Sequence, residues 1–243
     1  MKGVIFDIEG KFAHFRKIYT NSSSLSYSVP PRTTLQGLIA AMLGYERDSY
    51  YTELNSEKLH LAVKKNGPTY NMTQTLNYIK AVSSGELVKP KEHTQIPFEV
   101  IGADPAVSYR VYASGEYFDG LEKLIERLRQ GYFVFPPTLG TAFFLADVDY
   151  VAQVEFERLE PTGYVPAATV LDTDLIENIG VSGDQLSLIK EKMPRDFGDE
   201  RTLLPAKAYL VESSGKPVPV ILKKGVSCWR VNYDGREEYL TFM

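Results

Sequence analysis

From Lys11 to Tyr19 the chain reads Lys11-Phe12-Ala13-His14-Phe15-Arg16-Lys17-Ile18-Tyr19, with Asn21-Ser22-Ser23-Ser24 and then Arg32 downstream. Cations interleaved with rings suit a single strand of RNA. The cations meet phosphates, and aromatic faces offer stacking worth roughly 1–3 kcal/mol per base. Hydroxyls such as that of Ser24 add contacts to phosphate or to the 2′-OH. Residues 10–45 contain Lys11, Arg16, Lys17 and Arg32 and no acid, so a polyanion meets an unopposed positive field there. The competing reading is that Phe12 and Phe15 pack inward and the charges only face water.

Three other clusters carry possible chemistry. At Pro31-Arg32-Thr33-Thr34 a helix begins, and its unpaired amides with Arg32 beside them would accept an anion. Simple capping by Thr33 or Thr34 explains the same residues. The segment Lys89-Pro90-Lys91-Glu92-His93-Thr94-Gln95 offers Lys89, Lys91, His93 and Gln95 to nucleic acid or to a neighbouring subunit, or is a solvated hairpin tip. In the Pro136–Thr141 turn, Gly140 would let a backbone approach another chain closely, with Thr141 beside it. For metal-independent RNA cleavage, His14 with Lys17 and Tyr19, or His93 with Lys91 and Tyr45, supply the residue types of a base, a proton donor and a cation. Such residues are common in RNA-binding chains, and no P-loop, HExxH, GxSxG or DxD-like cluster accompanies them. No catalytic centre is expected.

The elements that must position these residues follow from periodicity. Val4, Phe6 and Ile8 alternate with Ile5, Asp7 and Glu9 as in a strand. Leu35, Leu38, Ile39 and Met42 keep helical spacing, with Gly44 as the stop. Leu59–Lys65 reads as a strand, residues 66–106 as an excursion, and Val107, Tyr109 and Val111 as a strand resumed. A second helix spans Tyr117–Gln130 with Gly131 as its stop, and Val148, Tyr150, Ala152, Val154 and Phe156 alternate again. The order β-α-β-β-α-β predicts an α+β, ferredoxin-like sandwich over residues 1–160. Residues 161–243 read as a smaller antiparallel β-rich region, with a helix near Asp184–Lys192. Two hairpins are expected there, turning at Ser213-Ser214-Gly215 and at Asp234-Gly235.

Composition narrows the class. The net charge is −4 over 243 residues, but residues 1–145 carry 16 Lys+Arg against 14 Asp+Glu and residues 146–243 carry 11 against 17. Nucleic acid would therefore meet the first half. Residues 58–98 add six lysines against Glu86 and Glu92. One cysteine, Cys228, and three dispersed histidines, His14, His60 and His93, give no disulfide framework and no expected metal or cofactor. No apolar run has membrane-spanning length. A cytoplasmic setting is expected.

The segment Tyr27-Ser28-Val29-Pro30-Pro31-Arg32-Thr33-Thr34-Leu35-Gln36-Gly37-Leu38-Ile39-Ala40-Ala41-Met42-Leu43-Gly44 resembles the first helix of the CRISPR-associated "Cas five" family in the RAMP superfamily. Tyr132–Ala146 is similar to that family's Pro-Tyr-Leu-Gly segment, with Thr138 where many members have tyrosine. The resemblance implies a ferredoxin-like core with an inserted β-hairpin thumb, here about residues 66–106. It implies a subunit of a type I Cascade complex, nearest the type I-B branch, that grips the 5′ handle of the CRISPR RNA. Such a subunit joins the backbone filament to the large subunit that recognises target DNA. Arg32 and Thr33 would lie near the handle, and residues 88–97 would reach the backbone subunit. The type I-C branch cleaves precursor RNA with a tyrosine and an adjacent Lys-His pair. Tyr45, Lys91 and His93 are the nearest equivalents, but Glu92 splits the pair, so a non-catalytic role is expected.

Overall fold

The computed structural model describes residues 1–180 and 185–243. The N-terminal elements are β1 (Lys2–Ala13), β2 (Phe15–Arg16), β3 (Ser26–Tyr27), α1 (Arg32–Leu43), β4 (His60–Lys65), β5 (Tyr70–Lys80), α2 (Ser84–Val88), β6 (Glu92–Ser114), α3 (Leu121–Gln130) and β7 (Asp147–Glu155). The central sheet runs β4-β6-β1-β7, with every neighbouring pair antiparallel. The fold is α+β and mostly strand.

Period-2 alternation sorts the sheet's side chains onto two faces. Val4, Phe6 and Ile8, with Leu61, Val63, Val107, Tyr109 and Val111, pack against Leu35, Ile39 and Met42 of α1 and Leu121, Leu124, Ile125 and Leu128 of α3. Both helices end where glycine takes a left-handed φ that other residues resist: Gly44 at 85° and Gly131 at 62°. α3 begins four residues later than its apolar pattern suggests. Phe118 is buried ahead of the helix, and Gly120 occupies the N-cap.

The alternation in β7 serves two cores. A bulge lies between the pairs Ile5↔Ala152 and Phe6↔Tyr150, and one extra residue flips the facing set. Val148 and Tyr150 therefore pack on the helix side, whereas Ala152, Val154 and Phe156 face the other way.

That second face is covered by the C-terminal region. Its strands are β8 (Glu157–Leu159), β9 (Val165–Ala167), β10 (Leu171–Asp172), β11 (Ile176–Ile179), β12 (Leu188–Met193), β13 (Lys207–Glu212), β14 (Val218–Leu222), β15 (Cys228–Tyr233) and β16 (Arg236–Leu240). They form one sheet ordered β11-β14-β9-β16-β15-β8 and another ordered β10-β13-β12. Val231, Tyr233 and Leu240 pack on Ile5, Ala62, Tyr112 and Phe156. Polar partners cross the same seam. Arg110 grips Asp7 with two bonds of 2.9 and 2.7 Å and donates to the Tyr233 hydroxyl at 2.9 Å, while Glu238 accepts from Lys64, Tyr112 and Tyr233. Stacking of bases on an open sheet face is thereby excluded.

Two expectations for this region are corrected. The helix near Asp184–Lys192 is strand β12 from Leu188 onward, paired with β13 from Leu188↔Glu212 to Met193↔Lys207; Asp184 itself lies outside the described residues. Burial of alternate residues Glu191 and Met193 is the strand pattern that a helical reading overlooks. The Ser213-Ser214-Gly215 turn does not close a hairpin, because β13 joins β12 and β10 whereas β14 joins β11 and β9. The Glu212 carboxylate accepts the amides of Ser187, Ser214 and Lys216, which turns the chain toward the other sheet. Asp234-Gly235 does close β15 on β16, with Tyr233 opposite Arg236 and φ values of 48° and 71°, the two positive angles of a two-residue hairpin turn.

Residues 66–106 form an antiparallel arm. β5 pairs with the first half of β6 from Tyr70↔Gly102 to Lys80↔Glu92, and α2 caps the tip.

No helix among the described residues is long and apolar enough to cross a membrane.

Candidate functional site

β1 ends at Ala13, and the chain makes the small ribbon of β2 and β3 before Pro31 starts α1. Pro31 is the N-cap and neither Thr33 nor Thr34 caps the helix by a side chain. The first carbonyl of the helix is met by the amides of Thr34 and Leu35, while those of Arg32 and Thr33 have no acceptor among the described residues. Beside this helix start lies a cleft of about 680 Å³, walled by the β2–β3 ribbon, the turn at 47–51, the turn at 136–141 and the segment 194–201. Arg16, Arg47 and Arg201 line it from three separate segments, together with Thr33, Thr34 and Thr141. All three arginines are exposed. Arg47 meets its neighbour Asp48 at 3.3 Å, Arg16 donates to the Thr20 carbonyl, and Arg201 stands over the Phe197 ring. Guanidiniums gathered in a cleft raise the local concentration of anions, and helix-start amides favour an anion.

The side chains singled out in the sequence divide sharply. Arg16 is exposed at the cleft, Tyr19 is 54% exposed, and Thr33 is half-buried on the cleft wall. Lys17 reaches Glu191 at 2.7 Å; burial works against its charge, but that carboxylate outweighs it and leaves the ammonium pKa raised. Phe12 is half-buried against Phe144. The Thr141 hydroxyl is buried without a hydrogen-bond partner among the described residues.

Four others face the interior. Phe15 is buried edge-on against Tyr109. His14 is buried between Ser24, whose hydroxyl lies 3.0 Å from Nε2, and the Glu99 carbonyl, 2.6 Å from Nδ1. With Nδ1–H donating to the carbonyl, Nε2 accepts from Ser24, a neutral arrangement that agrees with the pKa lowered by burial. Ser24 is itself 6% exposed. Arg32 is fully buried: its guanidinium meets Asp196 at 2.6 Å and the carbonyls of Leu54, Leu59 and Arg195. It is a tie between α1, the chain before β4 and the C-terminal region, and it does not line the cleft. Gly140 makes its close approach within the chain, because a Cβ there would stand 1.9 Å from the His14 carbonyl oxygen.

Lys89, Lys91, His93 and Gln95 are exposed on the arm. His93 pairs with Ile79 and Gln95 with Asn77, so nine residues of strand separate His93 from Gly102, about 30 Å at strand rise. Tyr45 packs against the main core just past α1. Lys91 and His93 thus stand on the arm, and Tyr45 on the body of the fold.

Sequence reasoning missed Arg47, Arg201 and the exposed ring of Phe143. Arg201 lies among Asp199 and Glu200 in the acidic half of the chain, which hid it. Phe143-Phe144 was a legible signal, since two adjacent rings seldom both find a core.

The family description "CRISPR-associated protein (Cas_Cas5)" matches residues 3–197. No curated protein matches the sequence. Among solved structures, a CRISPR protein from Archaeoglobus fulgidus is 13% identical with a TM-score of 0.57, covering 98% of each chain. A chain of a CRISPR RNA-guided surveillance complex is 12% identical over 89% of this chain and 91% of that one, at a TM-score of 0.51. A chain of the type III-B Cmr-beta complex bound to cognate target RNA and AMPPnP is 12% identical over 89% and 86%, at 0.54. At such identities the likeness speaks for the fold.

Proposed function

The chain belongs to the CRISPR-associated Cas five family, and from that premise we propose that it is a non-catalytic subunit of a type I CRISPR surveillance complex. In this reading it binds the 5′ handle of the CRISPR RNA, joins the backbone filament to the large subunit, and meets target DNA only indirectly. The observation that carries the RNA-binding part is the cleft at the start of α1. Three exposed arginines from separate segments converge there beside two helix amides with no acceptor among the described residues, an arrangement suited to successive phosphates of one strand. The ferredoxin-like reading is supported by the strand order β4-β6-β1-β7 with α1 and α3 on one face. Residues 1–160 and 161–243 are read as two regions sharing the covered face of the sheet. The non-catalytic reading draws on the exposure of Lys91 and His93 on the arm, whereas Tyr45 packs against the main core.

The test uses the full chain and a single-stranded RNA carrying the 5′ portion of the repeat, with affinity measured from 50 to 200 mM salt. Arg16→Ala, Arg47→Ala and Arg201→Ala together are expected to weaken binding. They should also flatten the salt dependence by up to about 0.7 log units for each phosphate that is no longer neutralised. An unchanged slope removes the cleft from the site. Rapid cleavage of the repeat in EDTA, abolished by His93→Ala, would overturn the non-catalytic reading.

A further inference from the structure

Rings run in contact from the cleft wall to the surface. His14, which lines the cleft, stacks on Phe98 at 4.1 Å and 27°. Phe98 meets Phe143 at 6.4 Å, Phe143 meets Phe144 edge-on at 4.8 Å, and Phe144 meets Phe12 at 6.0 Å. Four of these rings are buried or half-buried, whereas Phe143 is 67% exposed. A phenylalanine has no polar atom to gain from water, so this exposure leaves apolar area unburied. The neighbouring rings fix one side of Phe143 and leave the other open.

Its place along the chain gives the open side an occupant. Gly140 and Thr141 line the cleft, and Phe143 follows two residues later on the same turn, which the Leu139 amide closes by bonding the Phe144 carbonyl at 2.8 Å. The turn is pinned to β1, because His14 N–H donates to the Leu139 carbonyl at 3.0 Å and Gly10 abuts the Leu145 carbonyl. Glu9, Asp147 and Asp149 line an adjoining hollow that shares Pro137 with the cleft. A strand whose phosphates sit on the cleft arginines and which leaves past Gly140 and Thr141 meets, on the same turn, a held and open aromatic face.

We propose that Phe143 is the stacking platform for an unpaired base of the RNA strand leaving the cleft. The inference rests on the RNA-binding reading above and adds the residue that receives a base. Stacking is tolerant of base identity because every base has a π-face, so Phe143 contributes affinity with little sequence preference. A protein partner seated on Phe143 and the neighbouring exposed Leu145 is the competing occupant, and it needs apolar bulk without needing a ring.

The experiment measures binding of the repeat-derived RNA, and of an abasic version of it, to the full chain and to Phe143→Leu and Phe143→Trp. Native folding of each variant is confirmed by its urea midpoint. Phe143→Leu is expected to lose roughly 5- to 150-fold in affinity, the range that 1–3 kcal/mol per stacked base implies, and Phe143→Trp to bind at least as tightly as the parent. With abasic nucleotides at the stacked position, parent and Leu variant should converge. Fluorescence of the indole introduced by Phe143→Trp, read against the parent's own Trp229 signal, should be quenched only by RNA carrying bases. Equal binding of base-bearing RNA by parent and Phe143→Leu overturns the platform while leaving the cleft reading standing. So does a Leu variant that binds RNA normally and loses only a protein partner. Absence of any RNA binding by the parent overturns both.

Discussion

Arg32 separates a structural reading from one based on resemblance. Family likeness puts this arginine near the RNA handle, whereas its guanidinium is fully buried and makes four bonds within the chain, to Asp196 and to the carbonyls of Leu54, Leu59 and Arg195. Burial pulls its pKa down to about 10, against the pull of the Asp196 carboxylate, so it stays charged at neutral pH. Arg32→Met keeps the apolar stem and removes the fork. Asp196 is then left with the Ser56 amide at 3.0 Å as a remaining donor, and three carbonyls lose a partner. Breaking a buried pair by removing one member costs about 3–5 kcal/mol. With a urea slope of about 2–3 kcal/mol/M the midpoint should fall by roughly 1–2 M without a change of slope. Circular dichroism in urea measures that, and RNA affinity is read under conditions where both proteins are folded. The expected result is a large loss of stability with RNA affinity and salt dependence retained. A midpoint shift worth under about 1 kcal/mol, together with a tenfold loss of affinity, would refute the reasoning and return Arg32 to the RNA site.

Further expectations concern buried charge and the arm. The Lys65 ammonium, 4% exposed with Thr69 at 2.7 Å, is pushed down to about 8 by burial, with Glu212 opposing. The folded state therefore disfavours the proton, and stability falls as pH drops from about 10.5 to 8 and stays lowered below that, by on the order of 3 kcal/mol. Lys65→Met should be more stable at pH 7, with an advantage that shrinks as pH rises through that window; a pH-independent difference in urea-derived stability would contradict this. Burial alone would raise Glu212, but the amides of Lys216, Ser187 and Ser214 hold it below its ordinary value. The stability it supplies is present above about pH 4.5 and lost as pH falls through the lower folded value. Glu212→Gln should cost stability at pH 7 and flatten the acid limb of a stability profile, and an unaltered limb would count against the carboxylate. Replacing residues 81–91 by a two-residue turn should leave the melting temperature within a degree or two, because Val82, Leu87 and Val88 are 86%, 69% and 88% exposed. A large drop would mean the tip packs on the body.

What could be read from the residues alone was mostly local. Gly44, Gly131 and Asp234-Gly235 declare their positions because a positive φ is a property of one or two residues. The helix faces were legible because one surface buries each of them, and β1 because Val4, Phe6 and Ile8 alternate toward the helices. The same approach failed where a distant partner decides. β12 became a strand because β13 lay beside it, and the turn after Glu212 was set by three amides that only folding brings to one carboxylate. In β7 a single bulge divided an unbroken alternation between two cores. For the site, the basic and aromatic character of residues 11–32 pointed to segments that wall the cleft and to Arg16. It did not tell His14, Phe15 and Arg32, which hold the structure, from the exposed residues, because a cation or ring has the same spelling whether it meets Asp196, a core or a phosphate. Arg47 and Arg201 reach the cleft from opposite ends of the chain, and no window of sequence contains both.

The most direct measurement is a density map of the assembled surveillance complex with its guide bound, at a resolution that traces the RNA backbone through this subunit. The 5′ end of the guide is expected in the cleft at the start of α1, with phosphates within reach of Arg16, Arg47 and Arg201. A guide held on another surface, with that cleft empty or filled by a protein neighbour, would contradict the claim.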